Sequence, residues 1–437
     1  MKKIIFTFFM LAALTACHKQ LGLQVLTESG VIEGIEQDGV KAYLGIPYAE
    51  APVGELRWRA PQPKTPWEGV REAKTFGNDP MQRMFFPDMI FRGPEKSEDC
   101  LYLNVWTAAR TAGDKLPVLI YYNGGGLMCG SGSEPRHDGA AMAREGVITV
   151  TANYREGVFG FFSHPELTAE SLYGGSGNYG FLDQVAALEW VKRNIGAFGG
   201  DKDRITIVGE SAGSFSVSLL MVSPLSKHLI AGAMLSSGAD VLPFKPETQA
   251  EAEAAGVKRL SDAGIGSIAE ARALSGDSLE TLLPADGMKH VVLDGYYMTE
   301  TPDAIYAAGR QANVPLLAGW NTLDLPGLDY VTSRVCDYHV TTTAQPVYRY
   351  LFCRIRPEEH PAAGAVHSAD IEYAMGNLDS NTVFDWQEED YAISRAFLTY
   401  YANFCKTGDP NGEGLPYWAP MSKDLTARSV LHIGEGR

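Results

Sequence analysis

One short stretch, residues 205 to 221, constrains the fold more than any other part of the chain. A β-branched run, Ile-Thr-Ile-Val, leads into Gly209-Glu-Ser-Ala-Gly213 and then into an apolar segment that ends at Met221. This order predicts a strand, a sharp turn and a helix. Glycines on both sides of the turn permit close backbone approach, because they carry no Cβ atom. Ser211 is therefore predicted to stand on the turn with its hydroxyl exposed, as a nucleophile requires.

The surrounding chain alternates short apolar runs with helical patterns. One such pattern, over residues 178–195, places apolar side chains on a single helical stripe. Alternation of this kind predicts an α/β fold with a doubly wound, mostly parallel central sheet and helices on both faces. Residues 249–283, rich in Ala, Glu and Ser, predict surface helices at one edge of that sheet. The predicted strands cover 116–122, 147–151, 205–208, 232–235, 314–318 and 346–352.

The N-terminus has the order of an export signal. Lys2 and Lys3 precede an apolar run over 4–14 that is too short to span a bilayer, and Leu14-Thr-Ala-Cys17 follows. The last four residues resemble a bacterial lipobox, which predicts a signal peptide over 1–16 and lipid attachment at Cys17. The expected product is an exported lipoprotein anchored to a membrane, with residues 17–437 as one domain. The alternative is an ordinary signal peptide with an incidental cysteine.

Charge and cysteine content exclude several classes of protein. Without residues 1–16 the chain keeps 35 basic and 53 acidic side chains, and no Lys/Arg-rich block, so a nucleic-acid partner is not expected. Five cysteines remain after Cys17, an odd number without CxxC spacing. This pattern argues against a zinc site and a full disulfide framework, and predicts mostly buried free thiols.

A serine hydroxyl is a weak nucleophile at neutral pH, so it needs a histidine base and a carboxylate that orients the base. His367 follows the last predicted strand at a loop-to-helix junction and is the favoured base. His360, His164 and His432 are the alternatives, and each has the setting of a loop or tail residue.

The carboxylate is expected just after the strand over 314–318, where Asp324 is the better placed candidate and Asp329 the second. A glycine-rich loop, Asn123-Gly-Gly-Gly126, directly follows another strand and lacks the Lys-Ser/Thr pair of a phosphate-binding loop. Backbone N–H groups of Gly125, Gly126 and Ala212 could instead stabilise a developing oxyanion.

Several further motifs occur in one order along the chain. They are Gly45-Ile-Pro-Tyr-Ala-Glu-Ala-Pro-Val-Gly-Glu-Leu-Arg-Trp58, Ser97-Glu-Asp-Cys-Leu-Tyr-Leu-Asn104, Asn153-Tyr-Arg155, Gly177-Asn-Tyr-Gly-Phe-Leu-Asp-Gln184, Phe198-Gly-Gly-Asp201 and Thr407-Gly-Asp-Pro-Asn411. With the Ser211 motif, they make the chain resemble the type-B carboxylesterases, the cholinesterase-like and para-nitrobenzyl esterase-like branch of the α/β-hydrolase fold.

The resemblance implies an N-terminal antiparallel extension of the sheet. It implies Ser211 as nucleophile, His367 as general base and acid, Asp324 as the third member, and Gly125, Gly126 and Ala212 as the oxyanion hole. Glu210 and Ser237 fall where the family keeps supporting polar residues. No metal or organic cofactor is implied.

Four positions depart from the family pattern. Asn123 replaces a histidine before the glycines, and Asp324 replaces the usual glutamate. Asp79 occupies the position of the cysteine that often pairs with Cys100, so that disulfide is expected to be absent. Finally, only 43 positions separate Asp324 from His367, which indicates a contracted segment after Arg334.

The sequence thus predicts a serine carboxylesterase that works through an acyl-enzyme on small-molecule or glycan-attached esters. An ordinary histidine base would make activity fall below about pH 6.5. The alternatives are a catalytically impaired cholinesterase-like surface binding protein, and an amidase or peptidase with the same three residues.

Overall fold

A computed structural model describes residues 20–285, 287, 290–357, 362–424 and 429–435. The predicted leader, Cys17 and His360 lie outside these ranges. No helix within the ranges is both long enough and apolar enough to cross a membrane.

The centre of the described chain is a mixed sheet of ten strands. Their spatial order is β10-β9-β8-β7-β6-β4-β5-β3-β2-β1 when the strands are numbered along the chain. Strands β4 to β10 run parallel, and β1 to β3 pair antiparallel at one edge. The predicted mostly parallel sheet and its N-terminal antiparallel extension are therefore confirmed. The strands are β1 (Ile35–Gln37), β2 (Val40–Pro47), β3 (Tyr102–Thr107), β4 (Leu116–Tyr122), β5 (Ile148–Ala152), β6 (Gly200–Glu210), β7 (Gly232–Ser236), β8 (Leu316–Asn321), β9 (Val347–Phe352) and β10 (Leu431–Ile433).

Helices cover both faces of the sheet. Along β4, Ile120 packs into one buried cluster with side chains of α4, α5 and α10, and the next residue, Tyr121, packs into a second cluster with side chains of α12. Successive strand residues point to opposite faces, so both faces are buried, as a doubly wound sheet requires. The helices are α1 (Ala140–Arg144), α2 (Gly157–Gly160), α3 (Pro165–Glu170), α4 (Tyr179–Asn194), α5 (Ala212–Leu220), α6 (Gln249–Asp262), α7 (Ile268–Ala273), α8 (Gly276–Leu282), α9 (Pro302–Ala307), α10 (Leu328–Thr342), α11 (Ile371–Met375) and α12 (Glu388–Thr407).

Smaller elements surround this frame. Gln24–Thr27, Gly30–Glu33 and Val70–Glu72 form a three-stranded sheet, and short pairs join Asp79–Pro80 to Lys96–Ser97 and Glu247–Thr248 to Val292–Leu293. Four 3-10 turns cover Gly54–Leu56, Pro135–His137, Ile195–Phe198 and Leu378–Ser380.

The segment over 249–283 does form helices, α6 to α8, but its packing differs from the prediction. Leu260, Ile268 and Leu279 from these helices join a buried cluster with Trp58 and Phe162, and that cluster contains no residue of the central sheet. The three helices therefore cover the chain around α2 and α3, not a sheet edge, because the large aromatic side chains there supply the apolar surface they bury.

In the described part of the chain between Asp324 and His367, the regular elements are the helix α10 and the strand β9. Thiols at the five described cysteines are free, and those of Cys100, Cys129, Cys336 and Cys405 are buried. This confirms the prediction of mostly buried free thiols.

Candidate active site

Ser211 lies between the end of β6 and the start of α5, at φ 55° and ψ −125°. Residues with a Cβ rarely adopt a positive φ, so the surrounding backbone must hold this turn. A Cβ on Gly209 would lie 2.2 Å from the carbonyl carbon of Gly213, and one on Gly213 would lie 2.1 Å from the Tyr122 carbonyl oxygen. Gly209 is therefore required for the strand to approach the start of the helix within the turn, and Gly213 for the turn to pack against the end of β4.

His367 and Asp324 meet at the same edge of the sheet. His367 Nδ1 lies 2.6 Å from Asp324 Oδ1. The carboxylate is further fixed by the Ser237 hydroxyl, which donates to Oδ2 at 2.6 Å, and by the backbone N–H groups of Asn321 and Leu325 at 3.0 and 2.9 Å. These contacts leave Asp324 an acceptor that fixes the orientation of the imidazole.

The other candidate residues lie elsewhere. Asp329 is exposed on α10 and forms no described contact with His367. His164 caps α3 by accepting from the Glu166 backbone N–H, and His432 is partly exposed beside Glu435. Of the described histidines, His367 is the one beside Asp324.

Glu210 faces the second nitrogen of the imidazole. Its Oε1 lies 3.4 Å from His367 Nε2 and accepts a hydrogen bond from Ser368 Oγ at 2.7 Å. Over the described residues, no hydrogen bond joins the Ser211 hydroxyl to His367, although both side chains line one cavity. Such contacts are often long in a ligand-free site and shorten when substrate binds.

Burial and charge act in opposite directions on these groups. Burial alone would lower the pKa of His367, but the carboxylates of Glu210 and Asp324 outweigh it and raise the pKa to about 9. Burial raises the pKa of Glu210 to about 7 against the opposing effect of His367. Burial would also raise the pKa of Asp324, but its hydrogen bond from His367 and the positive charge of the imidazolium hold it below the usual value. The site therefore stabilises a protonated imidazole.

The glycine loop after β4 faces the same cavity. Gly125 and Gly126 have positive φ, of 105° and 68°, and a Cβ on Gly125 would lie 1.9 Å from the Cys129 carbonyl oxygen. The N–H groups of Gly125 and Gly126 donate to no protein acceptor in the described part of the chain. Ala212, the third predicted donor, begins α5 directly after Ser211. The loop thus presents unused backbone donors near Ser211.

Asn123 anchors the start of this loop. Its amide nitrogen donates to Glu156 Oε1 at 3.1 Å, and its backbone oxygen accepts from the Tyr154 hydroxyl at 2.8 Å. Because its amide reaches a buried carboxyl group, Asn123 holds the start of the loop in place.

Sequence analysis did not identify several polar residues around the site. Asp370 accepts from Ser236 Oγ at 2.6 Å and from the Tyr350 hydroxyl at 2.8 Å, which ties β7 to β9 beneath the site. Glu134 and Arg136 line the cavity, although neither belongs to a motif. No local pattern marks Asp370, because its partners are distant in sequence. Glu134 and Arg136 pair with each other two positions apart, but two charged residues in a loop form no recognisable motif.

The cavity has a volume of about 500 Å³. Its walls combine apolar side chains with the charged side chains of Glu134 and Arg136, at the 3-10 turn Pro135–His137. Within the described ranges no three His, Cys, Asp or Glu side chains are grouped so that they could hold a metal ion. The residues that line the cavity are Phe86, Asp88, Met89, Gly124, Gly125, Gly126, Glu134, Arg136, His137, Glu210, Ser211, Phe215, Phe244, Leu325, Pro326, Leu328, His367, Ser368 and Ile371.

A serine placed between strand and helix at the carboxyl edge of a mostly parallel sheet is typical of the α/β-hydrolases, and a solved structure supports that class. A para-nitrobenzyl esterase structure superposes with a TM-score of 0.83 at 29% identity, covering 94% of this chain and 95% of that one. The predicted α/β-hydrolase fold is confirmed.

The chain belongs to the carboxylesterase family, whose model matches residues 22–332 and 325–437. The para-nitrobenzyl esterase of Bacillus subtilis (strain 168) is 32% identical over 472 residues, which cover 93% of this chain and 94% of that enzyme. A fumonisin B1 esterase of Sphingopyxis macrogoltabida is 41% identical over 304 residues, which cover 68% of this chain but only 55% of that enzyme. The protein is therefore a carboxylic ester hydrolase, as the sequence predicted.

Proposed function

We propose that the protein hydrolyses small carboxylic esters through an acyl-enzyme formed on Ser211. The observation that carries the proposal is the 2.6 Å contact between His367 and Asp324 in the cavity that also contains Ser211. A nucleophile, an oriented base and unused backbone donors around one cavity are the parts that acyl transfer requires.

The proposed reaction has two halves. His367 takes the proton of Ser211 as the hydroxyl oxygen attacks the ester carbonyl carbon, and then gives that proton to the departing alkoxide. Water, deprotonated by the same imidazole, then attacks the acyl carbon. The imidazolium returns that proton to the Ser211 oxygen as the acyl–oxygen bond breaks and the carboxylic acid leaves. In both halves the N–H groups of Gly125, Gly126 and Ala212 would stabilise the negative oxygen, and Asp324 would stabilise the imidazolium.

Covalent labelling tests this assignment directly. A phosphonofluoridate reacts with activated serines, so we expect one equivalent to abolish hydrolysis of 4-nitrophenyl butyrate and to modify the peptide that contains Ser211. Peptide mass mapping measures the adduct. Inactivation with the adduct on another residue would overturn the assignment of the nucleophile.

The neighbours of His367 change the expected pH dependence. The base must be neutral, and Glu210 and Asp324 raise the pKa of His367 to about 9, so kcat/KM should decline with falling pH from a midpoint above 6.5. Glu210→Gln removes the carboxylate 3.4 Å from Nε2 and should move that midpoint toward lower pH by about one pH unit or more. A pH profile of kcat/KM for both forms measures the difference. An identical midpoint in the variant would show that Glu210 does not control this titration.

We also propose that the protein is exported and anchored to a membrane by lipid on Cys17. The Leu14-Thr-Ala-Cys17 motif supports this proposal. Cys17→Ser should move the protein from the membrane fraction to the soluble fraction, as measured by immunoblotting after cell fractionation. Unchanged partitioning would indicate a different anchor or none.

A further inference from the structure

A buried arginine lines the candidate active-site cavity. Arg136 belongs to the 3-10 turn Pro135–His137, and its backbone oxygen accepts from Asn377 Nδ2 at 3.0 Å. Arg136 is 6% exposed, yet it borders the same cavity as Ser211. Burying a guanidinium is costly unless its donors are paired, so its partners determine what it can still bind.

The two carboxylates that accept hydrogen bonds from Arg136 differ in burial, and a third carboxylate, that of the buried Glu372, also attracts its charge. Nε donates to Glu134, whose side chain is 1% exposed. Nη1 donates to Asp88 Oδ2 at 3.2 Å, and the Asp88 side chain is 55% exposed. Nη2 donates to no acceptor in the described part of the protein. Glu134 is thus a fixed counter-ion, whereas Asp88 is a solvent-exposed one that can swing away.

A carboxylate that replaced Asp88 could accept from both Nη1 and Nη2. A planar guanidinium binds a carboxylate best through two parallel N–H groups, and Glu134 accepts from Nε, which leaves the edge formed by Nη1 and Nη2. The Asp88 carboxylate already demonstrates that an anion fits beside Nη1. Displacement would return the Asp88 carboxylate to solvent, in which its side chain is already 55% exposed, and the incoming carboxylate would replace it as the acceptor for the buried Arg136.

Away from Arg136, one wall of the cavity is apolar. Phe215 and Phe244 lie with ring centroids 5.2 Å apart, and Leu328 and Ile371 complete this wall. Ser211 lies in the same cavity, which at about 500 Å³ can hold a small ester that is apolar in one part and anionic in another. Besides Arg136 and its two acceptors, the ionisable groups on the cavity wall are His137, Glu210 and His367. Glu210 and His367 face each other.

We propose that Arg136 is a specificity residue for esters that carry a free carboxylate away from the scissile bond, and that such a carboxylate displaces Asp88. This inference rests on the proposed ester hydrolysis and adds the class of substrate to it.

Matched ester pairs test the inference on the full-length protein. One pair, 4-nitrophenyl hydrogen adipate and 4-nitrophenyl hexanoate, differs by a carboxylate in the acyl part. A second pair, 4-acetoxybenzoate and 4-methylphenyl acetate, differs by a carboxylate in the alcohol part. For each pair the ratio of kcat/KM, charged over neutral, is measured after subtraction of spontaneous hydrolysis. We expect the ratio to exceed one in at least one pair.

Two variants locate the effect. Arg136→Met alone would leave Glu134 buried without a counter-ion, so it is combined with Glu134→Gln, and this double variant should lower the favoured ratio about tenfold or more. Arg136→Lys keeps the charge but loses the two-donor geometry, and should lower the ratio less. A folded double variant with an unchanged ratio would overturn the inference.

Asp88→Asn provides the opposite change. It removes the competing carboxylate and should raise the favoured ratio about threefold. Asp329→Asn is the control, since it removes an exposed acidic charge that does not line the cavity, and should leave the ratio unchanged. An equal rise in both variants would indicate a general charge effect and would contradict displacement at Arg136. If no ester of either pair were hydrolysed, the proposed function itself would fail.

Discussion

Ser211→Ala is expected to reduce kcat for 4-nitrophenyl butyrate by roughly 10⁴- to 10⁶-fold, because the proposed acyl-enzyme cannot form without the hydroxyl. Alanine fits the turn without a new clash, since it removes one oxygen and keeps the Cβ that already tolerates φ 55°. The variant should therefore unfold at about the same temperature as the unmodified protein. Initial rates and a thermal melt, measured on the same preparation, separate loss of chemistry from loss of fold.

Ser218→Ala is the matched control for this experiment. Ser218 is a buried serine of the same helix that donates to the Phe215 carbonyl at 2.7 Å and accepts from the Asp240 backbone N–H. Its loss should cost about 1 kcal/mol of stability while turnover is retained. Undiminished hydrolysis by Ser211→Ala would contradict the proposed mechanism, whatever the control does.

Asp324→Asn should lower kcat by roughly 10³- to 10⁴-fold. Each carboxylate oxygen of Asp324 accepts two hydrogen bonds. The donors to Oδ1 are His367 and Leu325, and the donors to Oδ2 are Ser237 and Asn321. An asparagine amide must therefore place its NH₂ group against donors in either orientation. The variant would lose the acceptor that orients His367, or it would disturb the loop after β8.

Asp329→Asn tests which of the two candidate carboxylates, Asp324 or Asp329, orients His367. Asp329 is exposed on α10, so its substitution should change kcat by less than about twofold. Activity that survives Asp324→Asn and is lost in Asp329→Asn would identify the other acid. Rates on a neutral ester are the appropriate measurement, because they do not depend on the carboxylate contact proposed for Arg136.

The elements that local pattern determines were predictable. The run over 116–122 is the strand Leu116–Tyr122, and the helix predicted over 178–195 is α4, Tyr179–Asn194. Buried parallel strands are continuous apolar runs and an amphipathic helix has a stripe, so both can be recognised without tertiary information. The juxtaposition of Asp324 with His367 was inferred from the order of elements and family resemblance, since strand ends meet at one edge of a parallel sheet.

Contacts between distant segments were not predictable. Arg136 meets Asp88 across 48 positions, and Asp370 meets Ser236 across 134. Neither pair has a sequence signal, because a single acid or base in a loop is usually a solvated residue. The predicted location of α6 to α8 was wrong for the same reason. Their amphipathic pattern shows that each helix buries one side, but it does not show which aromatic surface that side contacts.

The buried Asp79 carboxylate has a consequence for how the segment that follows the glycine loop is secured. Asp79 Oδ1 accepts from Ser131 Oγ at 2.5 Å and from Ser133 Oγ at 2.8 Å, and the Cys100 thiol is free. Three short side chains thus fasten this region non-covalently. Folding of this segment therefore needs no thiol oxidant, and mild reductants should leave its hydrogen bonds to Asp79 intact.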